Sequence, residues 1–242
     1  MKIPRRRRLV AAALALIAIL GTTLISTWSD ERKAVMAPPT TVSPQQMVTA
    51  MPALEALNTL SVKGRASKTG YSRAQFGDGW RDAGNCDIRN LILARDMENE
   101  QLQSETDCRV IKGTLHDPYT ATTIEFVRGA GTSDDVQIDH VVALSDAWQK
   151  GAQQLTSAMR EDFANDPLNL LAVEGKANMD KSDADAATWL PPNKDYRCRY
   201  VARQIAVKVA YHLWVTAAER DAMAKVLSGC PDQRLPIKTP AN

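Results

Sequence analysis

The sequence predicts an α+β domain whose central part is a strand, a second strand and a short helix. Residues 137–142 (QIDHVV) alternate and then run apolar, which is typical of a short, half-buried strand. A second apolar run at residues 168–173 (LNLLAV) follows an Asp-Pro pair and predicts another strand. A Glu-Gly pair then supplies a turn, after which residues 177–181 predict the start of a helix.

The N-terminal part of the chain predicts export. Five of the first eight residues are Lys or Arg, and the apolar stretch Leu9–Ile25 follows them. This pattern indicates a signal peptide or an N-terminal membrane anchor over residues 1–27, and both outcomes stay open because no clear cleavage site follows. Residues 28–70, rich in Pro, Thr and Ser at their start, predict a flexible linker. The domain is then expected over residues 71–233, with a tail at 234–242.

An additional helix and a hairpin precede the central strands. Asp87 is placed to cap a helix over Ile88–Glu98. The runs Cys108–Leu115 and Thr122–Val127 flank an Asp-Pro turn and predict a β-hairpin. A shorter helix is also expected within the linker, at Pro52–Leu60.

A helical pair is predicted at the C-terminal end of the domain. Tyr200–Trp214 carries apolar residues at helical spacing, and Thr216-Ala-Ala-Glu219 is a capping box that starts a last helix ending near Ser228. A short acidic helix is expected before them, at Asp183–Leu190.

The four cysteines predict two disulfides. They show no Cys-x-x-Cys spacing of the kind found at zinc sites, and an exported chain favours disulfides. Cys198 precedes one helix of the predicted pair and Cys230 follows the other, so an antiparallel pair brings their ends together. We therefore pair Cys198 with Cys230, which leaves Cys86 with Cys108.

Asp139 and His140 are the first candidates for chemistry. As neighbours on a strand they leave on opposite faces, so one can hold a metal ion while the other holds a water molecule. The carboxylate of Asp139 and the carboxamide of Asn178 are ligands that suit a hard divalent cation.

These residue types occur in an order that resembles the ββα-metal signature of the HNH endonucleases: Asp139-His140, Asn169 and Asn178-x-x-Lys181. More narrowly, the segments DHVVALSDAW, FANDPLNLLAV and ANMDKSDADAATWLPP, with the later Cys198, resemble secreted bacterial HNH proteins related to the C-terminal domain of the GmrSD restriction enzymes. The resemblance covers roughly Tyr71 to Cys230. It implies a ββα-metal nuclease core, with the long gap between its two strands occupied by an inserted helical segment.

The resemblance implies a role for each signature residue. His140 is the expected general base, and Asn169 is expected to brace the motif. Asp139 and Asn178 are expected to hold one Mg²⁺ or Mn²⁺ ion, because an Asn at the third signature position favours an oxygen-seeking ion over zinc. Lys181 is expected to meet a phosphate.

Charge adds further candidates for substrate binding. The chain has 30 basic and 28 acidic residues, and removing the five basic residues of the first eight leaves 25 against 28. Binding of nucleic acid then requires local clusters of Lys and Arg, for which Lys176 and Arg89 are candidates besides the signature lysine. No base-reading module is present, so binding through phosphates is expected to be weakly sequence-selective and sensitive to salt.

Together these features predict an exported, metal-dependent HNH endonuclease that hydrolyses phosphodiester bonds of nucleic acid, with DNA favoured over RNA and the choice between them left open by the sequence. We expect a monomer without a small-molecule cofactor, in contact with a membrane only if the N-terminal segment is retained. The alternative is a non-catalytic, envelope-associated binding module on an HNH scaffold. A metallohydrolase acting on another phosphodiester is a third hypothesis, whereas a zinc protease lacks its His-Glu-x-x-His motif.

Overall fold

The computed structural model describes residues 51–104 and 107–236. The predicted signal peptide or anchor, most of the predicted linker and the end of the tail lie outside these residues. None of the described helices combines the length and the apolar composition needed to cross a membrane.

The described residues form a mixed α+β fold, as predicted. Seven α-helices are present in this part of the chain, in addition to three short 3₁₀ turns: α1 (Ala53–Thr59), α2 (Ile88–Asp96), α3 (Leu144–Gln149), α4 (Ser157–Ala164), α5 (Gly175–Lys181), α6 (Arg197–Ala210) and α7 (Ala217–Leu227). The strands are β1 (Asp82–Ala83), β2 (Cys86–Asp87), β3 (Met97–Ser104), β4 (Asp107–His116), β5 (Thr123–Val127), β6 (Val136–His140) and β7 (Leu170–Glu174).

The strands make three small antiparallel sheets. β1 pairs with β2, β3–β4–β5 form a meander, and β6 pairs with β7. In the last pair Asp139 lies opposite Leu171 and His140 lies opposite Leu170.

The β6–β7 pair lies between two hydrophobic cores. Leu170 and Ala172 of β7 pack in the smaller core with α2 and the meander, while Leu171 and Val173 pack in the larger, helical core. Because side chains alternate along a strand, a strand between two cores is apolar at successive positions. This arrangement explains the continuous apolar run that predicted β7.

The elements before β6 follow the prediction in part. The side chain of Asp87 accepts a hydrogen bond from the Asn90 backbone N–H, and the predicted cap of α2 is therefore confirmed. The helix ends at Asp96 rather than Glu98, and β3 follows immediately. β3 (MENEQLQS) was not predicted, because an exposed edge strand of polar residues shows no apolar alternation.

The inserted segment between β6 and β7 is helical, as expected, and contains α3 and α4. The helix expected at Asp183–Leu190 is wrong, since this stretch forms only turns. Ser182, the residue before this stretch, has a φ of 51°, which interrupts the helical backbone. Within the stretch, the Asp185 carboxylate accepts a hydrogen bond from the Ala187 backbone N–H. Polar side chains that bond their own backbone favour turns over helices.

The C-terminal helical pair is present as α6 and α7. The capping box is confirmed, because Thr216 and Glu219 each accept a hydrogen bond from the other residue's backbone N–H. Both predicted disulfides are confirmed, Cys86–Cys108 and Cys198–Cys230.

The predicted linker and tail extend too far into the domain. Residues 51–70 belong to the packed structure, with Ala53 and Leu57 of α1 buried in the larger core. Leu235, expected in the tail, is also buried, and its N–H donates to the Met51 carbonyl. The helix expected within the linker is present as α1, but no local pattern indicated that it packs in the core of the domain.

An ionic cluster, buried except for Arg65 at its edge, joins five segments of the chain. Its members are three cations and three anions: Arg65, Lys150, Lys208, Asp146, Asp185 and Glu219. The Lys150 ammonium lies 2.7 Å from Asp146, 2.7 Å from Asp185 and 2.6 Å from Glu219. Arg65, from the segment expected to be linker, lies 2.8 Å from both aspartates. The cluster is electrically neutral, as buried charges require.

Candidate active site

Three elements, β6, β7 and α5, position the signature residues. The change from β7 to α5 is tight, because the Gly175 backbone N–H donates to the Asp135 carbonyl at 2.9 Å. A Cβ atom at Gly175 would lie 1.9 Å from the Asp134 carbonyl oxygen. Glycine is therefore required for the helix to begin where it does.

A cleft of about 770 Å³ opens beside this unit. Its wall includes three of the predicted site residues, Asp139, His140 and Asn178, and also Arg89 from α2. Residues from the loop before β1 complete it, among them Trp80. Residues far apart in the sequence thus converge on one concave surface, which is the usual form of a small active site.

His140 is held in one orientation at this cleft. The ring atom Nε2 lies 2.9 Å from the carbonyl oxygen of Ala164 in α4. A carbonyl only accepts, so Nε2 carries the hydrogen and Nδ1 keeps its lone pair. Burial is the main cause that lowers the pKa of His140 to about 4, so the ring is neutral at pH 7. A neutral, oriented imidazole can accept a proton.

Trp80 contributes to the same site. Its ring is stacked on the imidazole of His140, with ring centroids 5.7 Å apart and an interplanar angle of 7°. Trp80 was not predicted as a site residue, because it lies sixty positions before His140 and no local motif marks it.

The Asp139 carboxylate is fixed from two sides. Oδ1 accepts a hydrogen bond from the Lys181 ammonium at 2.8 Å, and Oδ2 accepts one from the Tyr119 hydroxyl at 2.5 Å. Lys181 Nζ also donates to the His140 carbonyl at 2.9 Å. The predicted contact between Lys181 and a phosphate is therefore wrong for this structure, since the side chain is completely buried and points away from solvent.

Tyr119 reaches Asp139 from the β4–β5 turn. Asp117 anchors this turn, because Oδ1 accepts the Glu174 backbone N–H at 3.0 Å and Oδ2 accepts the Thr120 backbone N–H at 2.8 Å. Burial raises the pKa of Tyr119 well above its usual value, so its hydroxyl remains a donor. The Asp-Pro-Tyr sequence predicted only a turn, and nothing in it indicated the target of the tyrosine.

Asn178, on α5, lines the cleft. Its amide nitrogen donates to Gln137 Oε1 at 2.9 Å, which leaves the oxygen as the atom available for a ligand. Together with the Asp139 carboxylate, this donor set fits a hard cation such as Mg²⁺ that keeps several waters. Residues 51–104 and 107–236 contain no group of three or more His, Cys, Asp or Glu able to enclose a metal.

Asn169 ties the end of β6 to the inserted segment. Its side-chain oxygen accepts the Val142 backbone N–H at 2.9 Å, and its amide nitrogen donates to the carbonyls of Val142 and Phe163. Two arginines, Arg95 and Arg203, donate to backbone carbonyls on either side of it. Asn169 is completely buried, and this geometry is that of a brace.

The other two predicted substrate contacts differ in position. Lys176 is exposed, pairs with Asp180 at 2.6 Å and does not line the cleft. Arg89 does line the cleft, and its buried Nη1 has no hydrogen-bond partner in the described part of the chain. Burial lowers the pKa of this guanidinium, which stays charged. Arg73 also lines the cleft, although the sequence did not predict it. It makes no salt bridge with any described residue.

Comparison with known proteins identifies the family of the chain. The chain is 36% identical over 199 residues to a protein of Arthroderma benhamiae described as an uncharacterized secreted protein. The aligned residues are 81% of this chain and 94% of the relative. No solved structure matches the chain. Residues 87–226 match the family described as the C-terminal domain of GmrSD restriction endonucleases, a range that includes every signature residue of the cleft. The chain therefore belongs to the family of GmrSD restriction endonuclease C-terminal domains.

Proposed function

We propose that this protein is an exported, metal-dependent endonuclease of the HNH type that hydrolyses phosphodiester bonds of nucleic acid. Family membership supports a nuclease. The single observation that carries the proposal is the neutral imidazole of His140, oriented by the Ala164 carbonyl at the wall of a cleft shared with Asp139 and Asn178. β6, β7 and α5 are, on this proposal, the two strands and the helix of a ββα-metal core.

His140 acts as the general base. Nδ1 takes a proton from the attacking water, while the hydrogen bond from Nε2 to Ala164 holds the ring and fixes its tautomer. Because the pKa of His140 is about 4, the base form is already present at neutral pH.

Asp139 and Asn178 would hold one Mg²⁺ or Mn²⁺ ion. A bound ion of this kind polarises the scissile phosphate and stabilises the leaving oxygen. Lys181 and Tyr119 each donate one hydrogen bond to the Asp139 carboxylate, and they keep it in a fixed orientation, as outer partners of a ligand do.

Arg89 and Arg73 supply positive charge for the substrate backbone. Both line the cleft, and neither forms an ion pair with another described residue, so a phosphate can take that place. Contacts to phosphates carry no sequence information, which predicts low sequence specificity and strong dependence on salt. DNA is the proposed substrate.

The proposed location is outside the cytoplasm. Two disulfides are typical of proteins that fold in an oxidising compartment, and the relative from Arthroderma benhamiae is described as secreted. Residues 1–27 would direct export, either as a cleaved signal or as an anchor, and the enzymatic domain follows the connecting segment that precedes α1.

Plasmid nicking tests the proposal. The full-length protein, purified with its disulfides formed, is incubated with plasmid and Mg²⁺ or Mn²⁺, with or without EDTA. His140→Ala should lower the rate by about 10²–10⁴-fold, the usual contribution of a general base. His116→Ala is the matched control, because His116 is exposed on the meander and does not line the cleft. Cleavage that survives EDTA, or equal rates for the two variants, would refute the proposal.

One observation favours the alternative of a non-catalytic binding module. Both oxygens of Asp139 already have partners within the protein, so a metal ion must share them. A folded protein that binds DNA or RNA but cuts neither in the presence of metal would establish this alternative.

A further inference from the structure

A second, smaller cavity of about 160 Å³ adjoins the cleft. Four residues line both spaces: Arg73, Trp80, His140 and Leu144. The small cavity therefore begins at the general base of the proposed site. Its volume is well below the roughly 300–1,000 Å³ typical of drug-sized ligand pockets, and suits a single ring system.

The wall of this small cavity combines aromatic and aliphatic side chains with two polar ones, Arg73 and His140. Phe76 and Trp80 contribute rings, and Leu144 contributes an aliphatic side chain. Gly77 and Gly79 form part of the boundary, with φ values of 99° and 121° that favour glycine. At Gly79 an added Cβ would meet no atom within 4 Å, so this side of the cavity is open.

The loop that carries Trp80 is fixed rather than left free. The next residue, Arg81, donates its backbone N–H to Asn165 Oδ1 at 2.9 Å, and its guanidinium pairs with Glu161 and Asp162 of the inserted segment. Trp80 is half-buried and stacked on His140. A rigid aromatic ring beside a phosphate-binding position is a favourable surface for a nucleobase, because every base has a π-face.

We propose, on the basis of the nuclease function above, that this small cavity accepts the nucleobase next to the scissile phosphate, and that the substrate is single-stranded or locally unpaired nucleic acid. A base within a duplex is paired on its edge and stacked on both faces. It enters a pocket only after it leaves the stack, and this step costs least in a single strand. Arg73, exposed on the wall that the two spaces share, is placed to hold the phosphate between them.

Binding of short oligonucleotides in EDTA tests the proposal apart from cleavage. Fluorescence anisotropy compares a labelled single strand with strands of the same sequence in which each position in turn is abasic. The wild-type protein should bind the weakest of the abasic strands about 5–150-fold less tightly than the intact strand, the range expected for one base stacked on an aromatic ring. Trp80→Ala should bind the two strands with nearly equal affinity, and Trp80→Phe should keep part of the preference.

Arg73→Ala is the matched control. This variant should weaken binding of intact and abasic strands by the same factor, because a phosphate contact does not depend on the base. A wild-type protein that binds every abasic strand as tightly as the intact strand would overturn the proposal, as would a Trp80→Ala variant that keeps the full preference.

Cleavage then tests strandedness with metal present. The wild-type value of kcat/KM should be higher for a single strand than for the duplex of the same sequence, and Trp80→Ala should reduce this ratio towards one. Equal values for the two wild-type substrates would overturn the preference for unpaired nucleic acid. Because binding is measured without metal, loss of the nucleobase pocket and loss of the nuclease function give different results.

Discussion

Acidification should destabilise this protein through His140. Burial lowers the pKa of the imidazole to about 4 in the folded state, whereas the unfolded chain keeps the ordinary value of 6.5. Between these values the unfolded state binds a proton that the folded state does not bind. The contribution of His140 to the free energy of unfolding is therefore complete above pH 6.5 and is lost as the pH falls towards 4.

The size of this effect follows from the two pKa values. Each pKa unit corresponds to about 1.4 kcal/mol, so the difference amounts to about 3 kcal/mol over the whole window. Most of it, about 2–3 kcal/mol, is lost between pH 7.5 and pH 4.5. A domain of ordinary stability has only about 5–15 kcal/mol in total, so the loss is readily measured.

Urea unfolding of the wild type and of His140→Gln at several pH values measures the effect. Carboxylates that also titrate in this range act on both proteins, and their contribution cancels in the difference. The wild type should lose about 2–3 kcal/mol more than the variant on going from pH 7.5 to pH 4.5. His116→Gln, an exposed control, should follow the wild type. Parallel curves for the wild type and His140→Gln would refute the reasoning.

Three further perturbations test the support of the site. Lys181→Met leaves the Asp139 carboxylate buried without its cation, and should lower the free energy of unfolding by about 3–5 kcal/mol in urea, so an unchanged midpoint would contradict the pairing. Gly175→Ala places a Cβ atom 1.9 Å from the Asp134 carbonyl, and both Tm and the rate of plasmid cleavage should fall. An unchanged Tm would contradict this prediction, since it would mean that the turn accommodates the Cβ atom of alanine. Reduction of the two disulfides should cost about 2–4 kcal/mol for each bridge, checked by urea unfolding with and without reductant.

Local signals predicted much of the fold. The Asp87 cap and the Thr216 capping box involve neighbours three residues apart, so the sequence contains the whole interaction. The pairing of Cys198 with Cys230 followed from the expected helical pair. β3 escaped prediction because its residues are exposed and polar, and its position depends on pairing with β4 rather than on its own composition.

Only those site residues that belong to one sequence motif could be predicted. Asp139, His140 and Asn178 follow a recognisable order, and the structure brings them to one cleft. Trp80 and Tyr119 come from loops on other parts of the chain, and only tertiary packing places them there. Lys181 was predicted to contact a phosphate at the surface. In the fold it is buried and donates a hydrogen bond to Asp139.

The neutral ionic cluster around Lys150 affects how the molecule withstands proteases. Its charges come from five segments, and four of these segments contribute a single charge each, so releasing any one of the four leaves the rest of the cluster with a net charge. Local opening of any one segment is then costly, and the domain tends to unfold as one unit. Proteases cut mainly transiently opened chains, so a cluster that suppresses partial opening lowers the rate at which proteases cut the domain.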